Sequence, residues 1–142
     1  MTPILLDTHA AVWATAGMLR PAVQQRIDAA ARDGRLLLSP ISAWEIGMLV
    51  GKGRLRLAGS TDAYVREMFA LPGVVTAAIS PTIAAEAAML PHPMHADPAD
   101  RILAATAIAY GANLITRDRR LHGYGRTTKA FRRTACRKEK RP

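Results

Sequence analysis

Three times in this chain serine or aspartate is followed directly by proline: Ser39-Pro40, Ser80-Pro81 and Asp97-Pro98. Serine or aspartate can satisfy the free N–H groups at a helix start, and proline suits the first helical position, where no N–H is needed. Two of these pairs come straight after short apolar runs, residues 36–38 and 74–79. Such runs are too short for a helix and read as buried strands. A strand that ends on a helix start hands over to a helix at once. The chain is therefore held to alternating strands and helices, which means an α/β layer with a central, mainly parallel sheet of four or five strands flanked by helices. Continuous apolar strands agree, because a parallel sheet is covered on both faces.

The same reading extends along the chain. Residues 4–6 make a first strand. Pro21 opens a helix with Val23, Ile27 and Ala30 on one face, and Gly34 closes it. The helix after Ser39-Pro40 runs to about Val50, with Ile41, Trp44, Met48 and Leu49 as its apolar face. These, with Trp13, are read as core. Thr61 caps a helix to about Leu71, and Pro81 opens one to about Leu90. Pro98 opens another to Tyr110, where Gly111 suits the C-terminus. Residues 112–116 form the fourth strand. After Leu121 the pattern weakens, and residues 125–131 are the candidate for a fifth, edge strand.

The 142 residues suit one domain, taken as residues 1–124, followed by a basic segment, residues 125–142, with an edge strand and then a disordered tail. The net charge of +9 sits wholly beyond residue 116. Residues 1–116 balance nine Lys and Arg with nine Asp and Glu, whereas residues 117–142 carry eleven against Asp118 and Glu139. A basic end of this kind suits a polyanionic partner; the plainer reading of its last dozen residues is a solvated tail. One cysteine, Cys136, forms no internal disulfide and fits a reducing cytoplasm. The N-terminus lacks a signal-peptide layout, and the uncharged run at residues 68–85 is broken by Pro72, Gly73 and Pro81. No membrane association is expected.

Four acids stand beside element boundaries: Asp7, Glu45, Asp100 and Asp118. In a parallel α/β fold, functional groups gather beyond the carboxyl ends of the strands, and Asp7 and Asp118 each follow a strand there. Each acid also has an ordinary explanation. Ser42 and Glu45 match a capping box, although Ser39-Pro40 is the better helix start and moves Glu45 into the second turn. Asp97 suits an N-cap, Asp100 a first helical turn, and Asp118 a cap before Leu121. Asp7 is the hardest to explain structurally. Together the four point to a divalent-metal site. Two carboxylates about 4 Å apart repel by roughly 4 kcal/mol at an effective dielectric near 20. Oxygen ligands suit Mg2+ or Mn2+, which can activate water and neutralise a phosphodiester. His92 and His95 read as loop residues, since no zinc pattern completes them. His9 is placed beside the site. Lys52, Arg54 and Arg56 read as a solvated loop.

At these stretches the sequence resembles the PIN domain, and within it the VapC-type toxins of bacterial VapBC toxin–antitoxin pairs. The resemblance rests on four blocks in family order: residues 5–13 (LLDTHAAVW), 41–46 (ISAWEI), 95–105 (HADPADRILAA) and 114–118 (LITRD). It implies a PIN-like fold and a Mg2+- or Mn2+-dependent endoribonuclease. Family acids carry over to Asp7, Glu45, Asp100 and Asp118, both as metal ligands and as catalytic residues, and Thr116 matches a hydroxyl position. Asp97 is an additional acid. A homodimer, an RNA substrate and a cognate VapB-type antitoxin are implied as well, with Arg101, Arg117, Arg119 and Arg120 as candidates for phosphate contacts. Two departures stand out: Ala99 replaces a larger apolar residue, and the segment after Gly125 lacks the usual apolar final strand.

Two rivals differ in class. An aspartate-nucleophile phosphatase also places an acid after its first strand, but wants a second acid where this chain has His9. A catalytically inactive PIN-like protein would bind RNA or an antitoxin without cutting.

Overall fold

The computed structural model describes residues 1–128 and 131–138, with side chains described to residue 125 and again from residue 131. Five parallel strands run in the order β3-β2-β1-β4-β5: β1 Ile4–Leu6, β2 Leu36–Leu38, β3 Val74–Thr76, β4 Asn113–Thr116 and β5 Arg132–Ala135. Among the described residues seven helices cover the sheet: α1 Thr8–Thr15, α2 Pro21–Arg32, α3 Pro40–Gly51, α4 Thr61–Phe69, α5 Pro81–Ala88, α6 Pro98–Tyr110 and α7 Arg119–Thr128. The expected α/β architecture is present, with every strand pairing parallel. No helix among the described residues is long and apolar enough to cross a membrane.

All three pairs of serine or aspartate with proline start helices. Ser39 Oγ accepts from the Ile41 N–H, Ser80 Oγ from Ile83 and Asp97 Oδ1 from Asp100, with proline next in each case. Gly111 ends α6 at φ 59°, a left-handed conformation that glycine adopts at no steric cost. The core is aliphatic, as read. Leu5, Leu114, Ile115 and Leu103 are fully buried on the two faces of the central strands, and each contributes roughly 1.5–3 kcal/mol of apolar burial.

Several elements differ from the sequence reading. Helix α1 carries no amphipathic stripe and follows the first strand directly. The third strand is only residues 74–76. Helix α3 turns Ser42 and Ile46 inward, leaving Trp44 55% exposed and Met48 also at the surface, so neither belongs to the core. Trp13, by contrast, does pack against it.

The greatest difference is past Leu121. Residues 125–128 close helix α7, and the edge strand begins after Phe131. Gly125 permits this, because a Cβ there would stand 2.7 Å from the Phe131 ring. The edge strand is polar. Its backbone pairs with β4, and Thr134 Oγ1 lies 3.1 Å from Asn113 Nδ2 and 3.0 Å from Arg26 Nη1. The Cys136 N–H donates to the Thr116 carbonyl at 2.8 Å, and Lys138 bridges antiparallel to Leu19. Of the last dozen residues, read as a tail, 131–138 are thus held at the sheet edge by backbone pairing, and 139–142 lie outside the described residues.

Candidate metal centre

In this strand order the chain leaves β1 in one direction, towards β2 and β3, while β4 and β5 lie on the other side. The carboxyl ends of β1 and β4 therefore flank the point where an open parallel sheet leaves a crevice. Asp7 follows β1 there, and Arg117 and Asp118 follow β4. Helices α3 and α6 pack over the same end and bring Glu45 and Asp100. Asp7, Glu45, Asp97, Asp100 and Asp118 all line one cavity of about 110 Å³, with His9 on its wall. The sequence-predicted acids are brought together, although they are separated by up to 111 positions in the chain.

Asp7 is the most constrained. It is 6% exposed. Its Oδ1 accepts from the Ala10 N–H at 2.7 Å, and its Oδ2 accepts from the Thr116 hydroxyl at 2.6 Å and the Arg117 N–H at 2.9 Å. Asp7 therefore does have a structural task, as the N-cap of α1. A carboxylate offers about four lone-pair sites. Three are used, and one remains for the cavity. Burial raises its pKa, against the pull of the three donors.

Asp118 also caps a helix. Its Oδ1 accepts from the N–H groups of Arg120 and Leu121 at 2.8 and 3.0 Å. Its own N–H donates to Thr116 Oγ1 at 2.9 Å. Thr116 thereby joins the two strand-end acids, receiving from the Asp118 backbone and giving to the Asp7 carboxylate.

Glu45 sits in the second turn of α3, as the Ser39-Pro40 start requires. Its Oε1 accepts from the Thr8 hydroxyl at 2.6 Å, and Thr8 in turn touches Ser42 Oγ at 3.0 Å. Burial, then the neighbouring Asp100, Asp97 and Asp7, push its pKa up to about 7 against the Thr8 bond. Asp100, in the first turn of α6, is raised by burial and by Asp118 and Asp97, while the His95 hydrogen bond pulls the other way.

His95 is a site residue that the sequence reading set aside. Its Nε2 lies 2.7 Å from Asp100 Oδ2, and it offers a ligand atom within 4.8 Å of those on Asp100 and Asp118. At 2.7 Å that nitrogen is engaged with the carboxylate, so its geometry is that of a hydrogen-bond partner of a ligand rather than a ligand. No spacing rule marks it; only the fold of residues 91–97 brings it back to Asp100.

Arg101 differs from its sequence reading. Its guanidinium donates to the carbonyls of His95 (2.9 Å), Ala87 (3.1 Å) and Met94 (3.3 Å). It pins the loop carrying His95 and is not turned to a phosphate. Lys52, Arg54 and Arg56 are exposed on the loop after α3, in line with a solvated patch.

The donor set fits a hard divalent cation. Three acids with raised pKa values face a small polar cavity, and their ligands are oxygens. Three helix N-termini (α1, α6, α7) point positive ends at Asp7, Asp97 and Asp118, which offsets part of the repulsion. Burial raises the pKa values of Asp7, Glu45 and Asp100, and neighbouring acids raise Glu45 and Asp100 further; a cation would offset both effects.

A family model described as PIN domain matches residues 4–126. The chain is 37% identical over 126 residues to Ribonuclease VapC22 of Mycobacterium tuberculosis (strain ATCC 25618 / H37Rv), covering 87% of this chain and 93% of that relative. Among solved structures it resembles VapBC2 from Rickettsia felis bound to a promoter DNA fragment, with a TM-score of 0.68 and 13% identity over 96% of this chain and 100% of that one. It also resembles FitAcB from Neisseria gonorrhoeae, with a TM-score of 0.59 and 23% identity over 92% and 95% of the two chains. At these identities the solved structures speak to the fold.

Proposed function

The chain belongs to the PIN domain family, and on that premise we propose that it is a Mg2+- or Mn2+-dependent endoribonuclease, the toxin of a type II toxin–antitoxin pair. The observation that carries the reading is the convergence of Asp7, Glu45, Asp100 and Asp118 on one cavity at the carboxyl ends of β1 and β4. A protein that only binds RNA has no need to gather desolvated acids in this way. His9, where a phosphatase of the aspartate-nucleophile class would want its second acid, lines the wall of the cavity.

Asp7 and Asp100 would be the principal ligands, each held by neighbours that leave one face to the cavity. Glu45 and Asp118 would complete the pocket directly or through water. A bound cation supplies charge neutralisation at the scissile phosphodiester and an activated water. The Thr116 hydroxyl keeps the Asp7 carboxylate in one orientation. The Thr8 hydroxyl does the same for Glu45. Glu45, held by the Thr8 hydroxyl on the cavity wall, is placed to take a proton from an attacking water.

The partners follow the same premise. The substrate is RNA, the inhibitor is a cognate VapB-type antitoxin, and the working form is a cytoplasmic homodimer. The exposed Trp44 and Met48 on α3 offer apolar area to a second copy. The domain proper is taken as residues 1–124, followed by the basic segment 125–142, of which residues 132–135 supply the edge strand.

The test is incubation with total cellular RNA in Mg2+, in Mn2+ and in chelator, followed by mapping of cut ends. Discrete internal cuts are expected with metal and none with chelator. Cuts made equally well by Asp7→Asn and Asp100→Asn would sink the assignment.

A further inference from the structure

Beside the acidic cavity lies a larger cleft, of about 500 Å³, of opposite character. Arg117, Arg119, Arg137 and Lys138 line it, with the Trp13 indole on one side and Asp118 as the acid among its lining residues. Arg117 and Asp118 line both hollows, so the two are contiguous. The far wall is the segment after β5. It is built in by the Cys136 N–H on the Thr116 carbonyl and by the Leu19–Lys138 bridge, which carries Arg137 and Lys138 across the end of α1. The Arg117 guanidinium stands 5.8 Å from the centre of the Trp13 ring.

We propose that this cleft is a nucleotide subsite for single-stranded RNA, taking a base against Trp13 and Arg117 and the adjoining backbone phosphates against Arg119, Arg137 and Lys138. The proposal rests on the nuclease reading of the neighbouring cavity and says where the strand leaves it. Aromatic and guanidinium planes accept any base, and clustered cations follow the backbone. An acidic protein segment would meet the cations but has no use for the flat indole. The cleft also explains the charge distribution of the chain. Four of the eleven cations beyond residue 116 face it, next to the centre where a phosphodiester would be cut. The buried Cys136 thiol on its floor, pushed up to about 12 by burial, adds no charge there.

Two readings test it on the full chain, both in chelator so that no cutting occurs. In a Trp44→Phe background Trp13 is the sole tryptophan, and a short single-stranded RNA should quench its emission. Inorganic polyphosphate should bind without that quench. In Arg137→Ala/Lys138→Ala, RNA affinity should fall about tenfold and the slope of log K against log salt should shrink by about 1.4, for two lost phosphate contacts. With metal restored, the same variant should show a raised KM and a kcat within about twofold of the parent. Unchanged affinity and slope in the double variant, or no quench by RNA, overturns the subsite. A quench by polyglutamate but not RNA overturns it in favour of an acidic protein. If the parent never cuts RNA yet quench and slope appear, the nuclease reading fails and the subsite stands.

Discussion

Two hollows share Arg117 and Asp118, and they are built in opposite ways. The acidic cavity is small and its side chains are held by hydrogen bonds: Asp7 by the N–H groups of Ala10 and Arg117 and the Thr116 hydroxyl, Asp118 by the N–H groups of Arg120 and Leu121, Glu45 by the Thr8 hydroxyl. The basic cleft is about 500 Å³, and its cations are long, exposed side chains. The difference follows from what each would hold. A cation needs ligands at fixed distances and tolerates little misplacement. A polyanion needs charge of the right sign along a path and accepts many side-chain conformations. Rigidity is concentrated on one side of Arg117 and tolerance on the other.

The contrast predicts that single conservative changes should be severe in the cavity and mild in the cleft. The largest effect expected is from Asp7→Asn, which keeps the shape but removes the charge and leaves an amide among three donors. Loss of several kcal/mol of charge stabilisation would lower kcat on the order of 10³-fold, read as the rate of RNA cleavage. The fold should survive, since the side-chain oxygen can still cap α1. A variant that cuts normally would place the cation elsewhere and dissolve the contrast.

Thr116→Val comes next. It removes the one hydroxyl that joins Asp7 to Asp118. Loss of a hydrogen-bond partner of a ligand costs about 10–100-fold in metal affinity, and Mn2+ titration would read it. Val is close in volume, so the fold should survive, with a stability loss of about 1–3 kcal/mol for the hydrogen bonds left unmade. Equal metal binding in the variant would mean that the cavity does not depend on its hydrogen-bonded frame.

The pH dependence is smaller and its sign can be worked out. Glu45 is raised from its ordinary 4.5 to about 7. Without metal, its stabilising contribution is fully present below 4.5 and is lost as pH rises through about 7. A cation binds the charged form, so binding must expel the proton below that value. Affinity for Mn2+ should fall about tenfold between pH 8 and pH 6, while metal-free melting temperature should rise over the same descent. Glu45→Gln should flatten both curves. Parallel rather than opposed trends would show that Glu45 does not face the cation.

How much of this could be read beforehand depends on the kind of signal. The cap-and-proline pairs are local, and they place α3, α5 and α6 together with Glu45 and Asp100. Asp7 and Asp118 could be located because each ends an apolar run. Helix α1 could not be seen, because Thr8–Thr15 is nearly uniform in apolarity and shows no stripe; its one signal is Asp7 itself, an N-cap as well as a candidate ligand. Helix α7 has Gly123 and Gly125 inside it, and local propensity disfavours it. It forms because Gly125 lets Phe131 pack close. Strand β5 is polar and is held by Asn113 and Arg26, from distant parts of the sequence. Trp44 misled because helical spacing marks a face without saying which way it turns. His95 and Arg101 acquire their partners only through the fold of residues 91–97.

Arg101 gives the mildest and most discriminating test. By sequence it is one more cation beside an acid, grouped with Arg117, Arg119 and Arg120. In the structure it belongs to the rigid side: its fork donates to the backbone carbonyls of Ala87, Ala88, Met94 and His95 and holds the His95 loop against α6. Lysine keeps the charge but cannot span that fork. In Arg101→Lys the loop should loosen, the His95 bond to Asp100 should be made less of the time, and the Mn2+ requirement should rise about threefold, below the tenfold typical of losing a ligand's partner outright. RNA affinity in chelator, and its salt slope, should stay as they were, because the side chain meets no phosphate. Arg137→Ala/Lys138→Ala should behave in the reverse manner, with the slope reduced and the Mn2+ requirement unaltered. Measuring both quantities on both variants separates a cation that fixes the frame from cations that hold the strand; a reduced salt slope in Arg101→Lys would move Arg101 across that line.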